Sequence, residues 1–457
     1  MFYEESELKE KMEQAQKERE EKRIADDVTA DFLRRREERR SIESGWILNI
    51  NFFSGNQYCD VSPFGGVMEE DSQFYWQSRR VFNHIAPTID SRIAKLEKMK
   101  PELTVRAFSD EDGDVKAAQL ATGILKYVQE RICLNELSSR ATMWSETCGC
   151  AFFKVDWDAL AGRQVGVDEE NHPVYEGEVR VSVVPPFEIF PDRLDAEDMD
   201  GVQSIIHARA VPVSYIQERF GVALKGQDIS GVMQYSEPSA GKLSGQKMGM
   251  NFTDIRDAEI LIERYTRPNV EFPQGKLEIV AGGKLLYTDV LPFVNGERNE
   301  RGFPFVKQDC MRLPGAFFGS SIIDRLIPVQ RAYNAVRNRK HEFLNRLSMG
   351  VLTVEDGSID VDELSEEGLL PGKVLIYRQG GKAPEMLDCG SMPSEFKDEE
   401  AWLEKEFAKI SGGERFVEGF FSHACDERNG LAAPAFARRI EIVRNGKEHR
   451  TRFERGR

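Results

Sequence analysis

No stretch of this sequence approaches the ~18 consecutive apolar residues that a bilayer-spanning helix needs, so a membrane protein is disfavoured. The first residues are charged rather than apolar, which argues against a secretory signal and implies a protein that stays in a cytoplasm. Histidine is scarce, with six scattered positions, and neither a His-Glu-x-x-His pair nor a Gly-x-Ser-x-Gly elbow occurs. The phosphate-binding Gly-x-x-x-x-Gly-Lys-Ser/Thr loop is missing too. The run Ala281, Gly282, Gly283, Lys284 is followed by Leu285, which has no hydroxyl for magnesium, so a motor ATPase is excluded. The seven cysteines (Cys59, Cys133, Cys148, Cys150, Cys310, Cys389 and Cys425) are odd in number and dispersed, as in a reduced chain. Cys148 and Cys150 form the one close pair. Without a second Cys/His pair they read as a buried turn before a strand and not as metal ligands. The expectation is therefore no catalytic residue, no cofactor and no metal. A carboxylate site for two-metal chemistry stays open, because 78 Asp and Glu residues run through the whole chain.

At 457 residues and 40% hydrophobic content, the chain has material for two or three domains. Its formal net charge of -16 argues against indiscriminate adhesion to nucleic acid. Residues 4–43 alternate Glu with Lys and Arg at helical spacing and read as a solvated charged helix. Glu37 and Glu38 interrupt its arginines, which disfavours a nucleic-acid arm. The packed part begins at 46–53. Amphipathic helices are expected at 74–100 and 115–146, with a short strand at 103–107 between them. Strand composition marks 151–157, 178–184, 202–209, 258–265 and 276–288, with one helix inserted at 213–220. Residues 226–251, rich in Gly, Ser, Gln and Met, read as a loop. The body up to 318 is thus an α+β domain.

Residues 313–347 say most. Gly315 and Gly319 break the preceding strand pattern, Ser320 or Ser321 can cap a helix, and Asp324 lies in the first turn, where the macrodipole favours an anion. A helix kinked at Pro328 is expected from about 321. One stripe, Ile323, Leu326, Ile327, Tyr333, Val336, Phe343, Leu344 and Leu347, should pack, and the other carries Arg325, Arg331, Arg337, Arg339, Lys340 and Arg346. Strands at 351–354 and 373–377 flank an acidic connector that lacks the Asp-x-Asp-x-Asp-Gly spacing of a calcium loop. A second helix at 398–410 should gather Trp402, Phe407 and Ile410 near one side.

The order Gly-x-Ser followed by a long helix with Pro328, Gln330, Arg331, Tyr333 and Asn334 (P-x-Q-R-x-Y-N) resembles the portal proteins of tailed bacteriophages, the short-tailed P22-like branch in particular. Other strings agree in the same order: WILNINFFSG (46–55), RRVFNHIAP (79–87), KPELTV (100–105), CGCAFFKVDWD (148–158) and PPFEIFPD (185–192). The resemblance implies a portal fold with a charged N-terminal helix (1–45), an α+β wing (46–318), a first stem helix (319–348), a small clip (349–393) and a second stem helix (394–412). It implies about twelve copies in a closed ring at one capsid vertex of the virion. There the terminase large subunit docks and double-stranded DNA passes, among major capsid and scaffolding proteins, and head-completion, adaptor and tail proteins attach later. No membrane is involved, and assembly takes place in the host cytoplasm. Overall acidity suits a channel in which duplex DNA slides, since each neutralised phosphate adds affinity through counterion release. The stem cations Arg331, Arg337, Arg339, Lys340 and Arg346 either face phosphates weakly or pair with acids of adjacent subunits such as Glu342, Asp398 and Glu399. Pairing is favoured, because a close ring of unpaired cations repels itself. The alternative from another class is a metal-dependent nuclease with an attached binding domain.

After residue 412 the texture changes: 413–457 holds ten Lys and Arg against seven Asp and Glu. Back-translation read one nucleotide later permits the Ser-Gly-Thr-Ala string that follows the second stem helix in the family. Our hypothesis is that this segment is an out-of-frame product and a disordered tail; codons across position 412 that forbid the shifted reading would refute it.

Overall fold

The computed structural model describes residues 2–62, 67–69, 79–98, 104–107, 109–159, 161–167, 173–230, 254–292, 301–349, 351–357, 376–387 and 392–412. The expected tail at 413–457, residues 231–251 of the loop expected at 226–251 and most of the acidic connector lie outside these residues. The chain is α+β, in two compact units. The first holds the described residues of Met1–Glu70 and Asn83–Ile327, the second those of Asp71–Phe82 and Pro328–Gly413.

In the first unit, α1 (Phe2–Ser54) is followed by the strand pair β1 (Cys59–Val61) and β2 (Val67–Glu69) and by α2 (Ile85–Lys98), α3 (Asp112–Arg131) and α4 (Leu134–Cys148). Residues 79–84, expected to be helical, are not; α2 begins where Asn83 accepts hydrogen bonds from the amides of Ile85 and Ala86. Residues 104–107 form no strand. The helix expected over 115–146 is two helices, broken where Cys133 takes the left-handed conformation (φ 51°).

A three-stranded antiparallel sheet orders β13 (Phe305–Asp309), β3 (Cys150–Asp158) and β6 (Glu178–Val184). A six-stranded sheet orders β12 (Lys284–Asp289), β11 (Lys276–Ala281), β10 (Asp254–Thr266), β8 (Ser204–Pro212) and β7 (Ile189–Pro191), with β9 (Gln227–Ser230) also on β10. The single strand expected at 276–288 is a hairpin turned at Gly282 and Gly283, both with positive φ. β9 occupies the start of the expected loop. The pair β4 (Gln164–Val167) and β5 (Pro173–Tyr175) completes the strands, and α5 (Val213–Phe220) is the expected inserted helix.

The largest correction concerns α1. Ala25, Val28 and Phe32 are buried with Phe190, Ile206, Ile262 and Val280, while Trp46, Ile47 and Ile50 enter the main core with Phe152, Phe187 and Phe318. The buried row 25, 28, 32, 35, 39, 43, 46, 50 keeps spacings of three and four throughout. Its middle members are Arg35, Arg39 and Glu43, so a core-facing stripe looks solvated to any reading based on polarity. Arg39, fully buried, donates to the carbonyls of Pro186, Phe187 and Ile189 and to Glu43, and its guanidinium lies 3.8 Å from the Phe190 ring centroid. Arg35 donates to the carbonyls of Phe190 and Ser204 and pairs with Asp31.

A buried polar cluster joins the two large sheets. Glu263 of β10 accepts from Lys154 of β3 at 2.5 Å and from the Tyr265 hydroxyl at 2.6 Å, and His207 of β8 lies 3.4 Å from it. Burial pushes the Glu263 carboxyl up, but the Lys154 charge and the His207 hydrogen bond outweigh it and hold it well below its ordinary 4.5. A depressed folded pKa means that ionised Glu263 contributes stability above the unfolded value and that this contribution is lost as pH falls through the folded one. Glu263→Gln should therefore be clearly less stable than wild type near neutrality, with urea midpoints that converge below about pH 4. A gap independent of pH would count against this role.

Candidate functional site

The first unit presents the start of the long helix. Cys148, Gly149 and Cys150 form the turn from α4 into β3, with both thiols buried and pushed up by that burial, Cys150 beyond the range in which a thiolate forms. Gly149 lies against the backbone of Gly319; the carbonyl of Gly149 accepts from the amide of Cys310, and Ser320 donates to Met311. The Cys-Gly-Cys turn and the Gly-Ser-Ser turn thus cross at two glycines. Helix α6 (Ile322–Met349) then starts as the spacing predicts. Ser321 Oγ accepts from the amide of Ile323 at 3.0 Å, Asp324 accepts from the amide of Ser321 at 2.9 Å, and Asn49 of α1 donates to Asp324 at 2.7 Å. Ile323, Leu326 and Ile327 are buried.

The second unit holds the rest of α6, from Pro328 onward, which lies inside the helix. One face carries amides at every fourth position: Gln330, Asn334 and Asn338, all buried. They act as a strand partner for residues 79–82. Asn338 exchanges two hydrogen bonds with the peptide of Arg80 (3.1 and 2.9 Å), Asn334 accepts from the amide of Phe82 at 3.0 Å, and Gln330 donates to the Phe82 carbonyl at 2.8 Å. The match is metric. Four residues of helix rise ~6.0 Å and two residues of extended chain ~6.7 Å, so Asn338 and Asn334 meet Arg80 and Phe82, and Gln330 reaches back to the carbonyl of Phe82.

A second face meets α7 (Glu395–Ser411). Arg337 and Lys340 both donate to Glu400, the latter at 2.6 Å, and the Tyr333 hydroxyl donates to Glu404 at 3.1 Å. The Arg337 guanidinium also covers the Phe82 ring, 4.8 Å from its centroid. Burial pushes the Glu400 carboxyl up, but the hydrogen bond from Lys340 and the charges of Arg337 and Lys340 hold it below the usual range. Tyr333 is pushed up to about 12 by burial and by the Glu404 carboxylate it serves. Between the helices, β14 (Val351–Thr353) pairs with β15 (Glu385–Leu387); Ile376 and Tyr377, expected in a strand, belong to none.

Of the charges singled out in the sequence, Arg337 and Lys340 find their acid in Glu400 of the same chain, one residue beyond the expected Asp398 and Glu399, which are exposed. Arg339 is exposed, Arg331 and Glu342 are half-buried, and the Arg346 side chain lies outside the described residues. Trp402 is 54% exposed, and Leu403, Phe407 and Ser411 are the buried row of α7 in its place. Leu344 and Leu347 are exposed, so the packed stripe of α6 ends before them. The motif residues Gln330 and Asn334 share an i, i+4, i+8 row with Asn338, and only the structure gives that row its hydrogen-bonding partners at 80 and 82. Glu400→Gln should lower the stability of the second unit by about 1 kcal/mol, because the pair is partly solvated, and high ionic strength should shrink the loss. Equal calorimetric melts of variant and wild type at low salt would refute this.

Among the described residues, no group of three or more His, Cys, Asp or Glu side chains is placed to hold a metal ion, and no helix is long and apolar enough to cross a membrane. Comparison with protein-family models and with curated proteins finds no match to the chain.

Proposed function

We propose that the chain is a portal subunit: it assembles into a ring that forms the channel for double-stranded DNA at one capsid vertex. The observation that carries the proposal is the layout of the second unit. A long helix, a small antiparallel strand pair and a returning helix locked to the first through Glu400 follow in the order that the resemblance expects of stem, clip and stem. The Pro-x-Gln-Arg-x-Tyr-Asn motif adds support, because Gln330, Tyr333 and Asn334 are among the residues that bind the long helix to its neighbours in the unit.

The work of such a ring is mechanical and electrostatic. About twelve copies related by closed symmetry surround the duplex. The terminase large subunit docks on the ring during packaging, adaptor and tail proteins attach afterwards, and capsid and scaffolding proteins surround it in the virion. Arg337 and Lys340 share the one carboxylate of Glu400, which offsets part of their charge and weakens their attraction for phosphates, as suits sliding and not capture. Negative-stain imaging of the purified full chain should reveal rings with a central hole. A monomer that cuts duplex DNA when magnesium is added would replace this proposal with the nuclease.

A further inference from the structure

The two helices of the second unit leave faces of different chemistry exposed. On α6, the amide row and the row that meets α7 lie on adjacent faces, and at about 3.6 residues per turn the side opposite both carries Pro328, Ala332, Ala335 and Arg339, all exposed. That side is a ridge of small residues ending in a cation. On α7, the side opposite Glu400 and Glu404, which meet α6, carries Glu395, Asp398 and Trp402, with Glu399 beside them, again all exposed. That side is acidic and bears a large indole. Trp402 is 54% exposed and lies beside two exposed carboxylates.

The heights agree as well. Tyr333 meets Glu404 while Arg337 and Lys340 meet Glu400, so the helices run antiparallel in a defined register. Continuing that register by ~1.5 Å per residue puts Trp402 level with Ala335, and Asp398 and Glu399 level with Arg339. A rotation about an axis along the helix pair preserves height, so a copy rotated onto its neighbour brings an indole to small residues and two carboxylates to one guanidinium.

We propose that α7 of one copy seats Trp402 against Ala332 and Ala335 of the next copy's α6, with Asp398 and Glu399 pairing to Arg339. The occupant of each face is thus a second copy of this chain, bound head to tail, as ring closure requires. This rests on the ring reading above and assigns its contacts. A buried tryptophan surrounded by charge pairs is the composition that dominates association energies, whereas Arg337 and Lys340 act inside the chain.

The test is native mass spectrometry and sedimentation of the full chain. Trp402→Ala and Arg339→Glu should each weaken self-association at least tenfold without changing the thermal melt of the dissociated chain, since both side chains are exposed. Arg339→Glu combined with Asp398→Arg and Glu399→Arg should restore assembly. Rings that persist in both single variants would overturn the interface and leave the ring reading standing. A wild-type chain that stays monomeric overturns both, and Arg339→Glu rings that keep their mass but lose retention of duplex DNA assign Arg339 to DNA instead.

Discussion

Arg39→Ala is expected to destabilise the first unit by about 3–5 kcal/mol, the cost of breaking a buried ion pair from one side. Arg39 is fully buried, and its loss takes a donor from the carbonyls of Pro186, Phe187 and Ile189 and a guanidinium from the buried Glu43 carboxylate. None of these groups can turn to water without opening the contact between α1 and the segment that leads into β7. Arg39→Lys keeps the charge but has a single ammonium where a planar fork now reaches several acceptors, so it should fall between wild type and Arg39→Ala. Since a domain's whole stability is about 5–15 kcal/mol, the alanine variant should lose a large part of its urea midpoint. A midpoint shift worth less than about 0.5 kcal/mol would mean that the carbonyls find other donors.

The second large effect is expected at the crossing of the two glycine turns. A Cβ on Gly319 would lie 2.6 Å from the carbonyl oxygen of Gly149 and 2.8 Å from that of Met311, both backbone atoms that no rotamer change can move. Gly149 is worse placed, for its φ of +91° adds about 1–2 kcal/mol of backbone strain to a collision with the Gly319 backbone. Gly319→Ala should cost roughly 3 kcal/mol, at the upper end of overpacking, and Gly149→Ala more. Both should reduce soluble yield, and a double substitution should not be additive, because one contact is being broken twice. A soluble Gly319→Ala chain with a wild-type melt would show that the two turns separate readily.

The glycines explain why these two strings stood out in the sequence. Cys148 to Cys150 and Gly319 to Ser321 are far apart in the chain, and each alone reads as a turn. Their shared constraint is the space between two backbones, which no local pattern encodes. The cap of α6 was legible because it is local: Ser321 and Asp324 lie three residues apart and need only a helix between them. The same holds for α5 and β6, whose bounds coincide with the expected ones. The split at Cys133 and the hairpin at Gly282 were harder, because the apolar content runs on through both breaks.

Helix α1 departs from its composition for a different reason. A stripe carrying Arg35, Arg39 and Glu43 is polar by composition yet buried, because the partners that make burial affordable, the carbonyls around Phe187 and Phe190, come from about 150 residues away. In the candidate site, the cations were legible as a row on a helix, but their acid was not. Glu395, Asp398, Glu399, Glu400, Glu404 and Glu406 all lie on one short helix, and only the antiparallel register with α6 selects Glu400.

By itself, the sequence determined the local elements: a long capped helix entered through glycines, a returning helix, an α+β body and a charge pattern of helical period. These follow from spacing and backbone preference, which act within a few residues. Only the tertiary structure decided which charges are internal and which remain outside. Burial, pairing and register depend on what arrives from elsewhere in the chain, so Arg39 became a core residue, Arg337 and Lys340 were taken by Glu400, and Arg339, Asp398 and Trp402 were left on the surface.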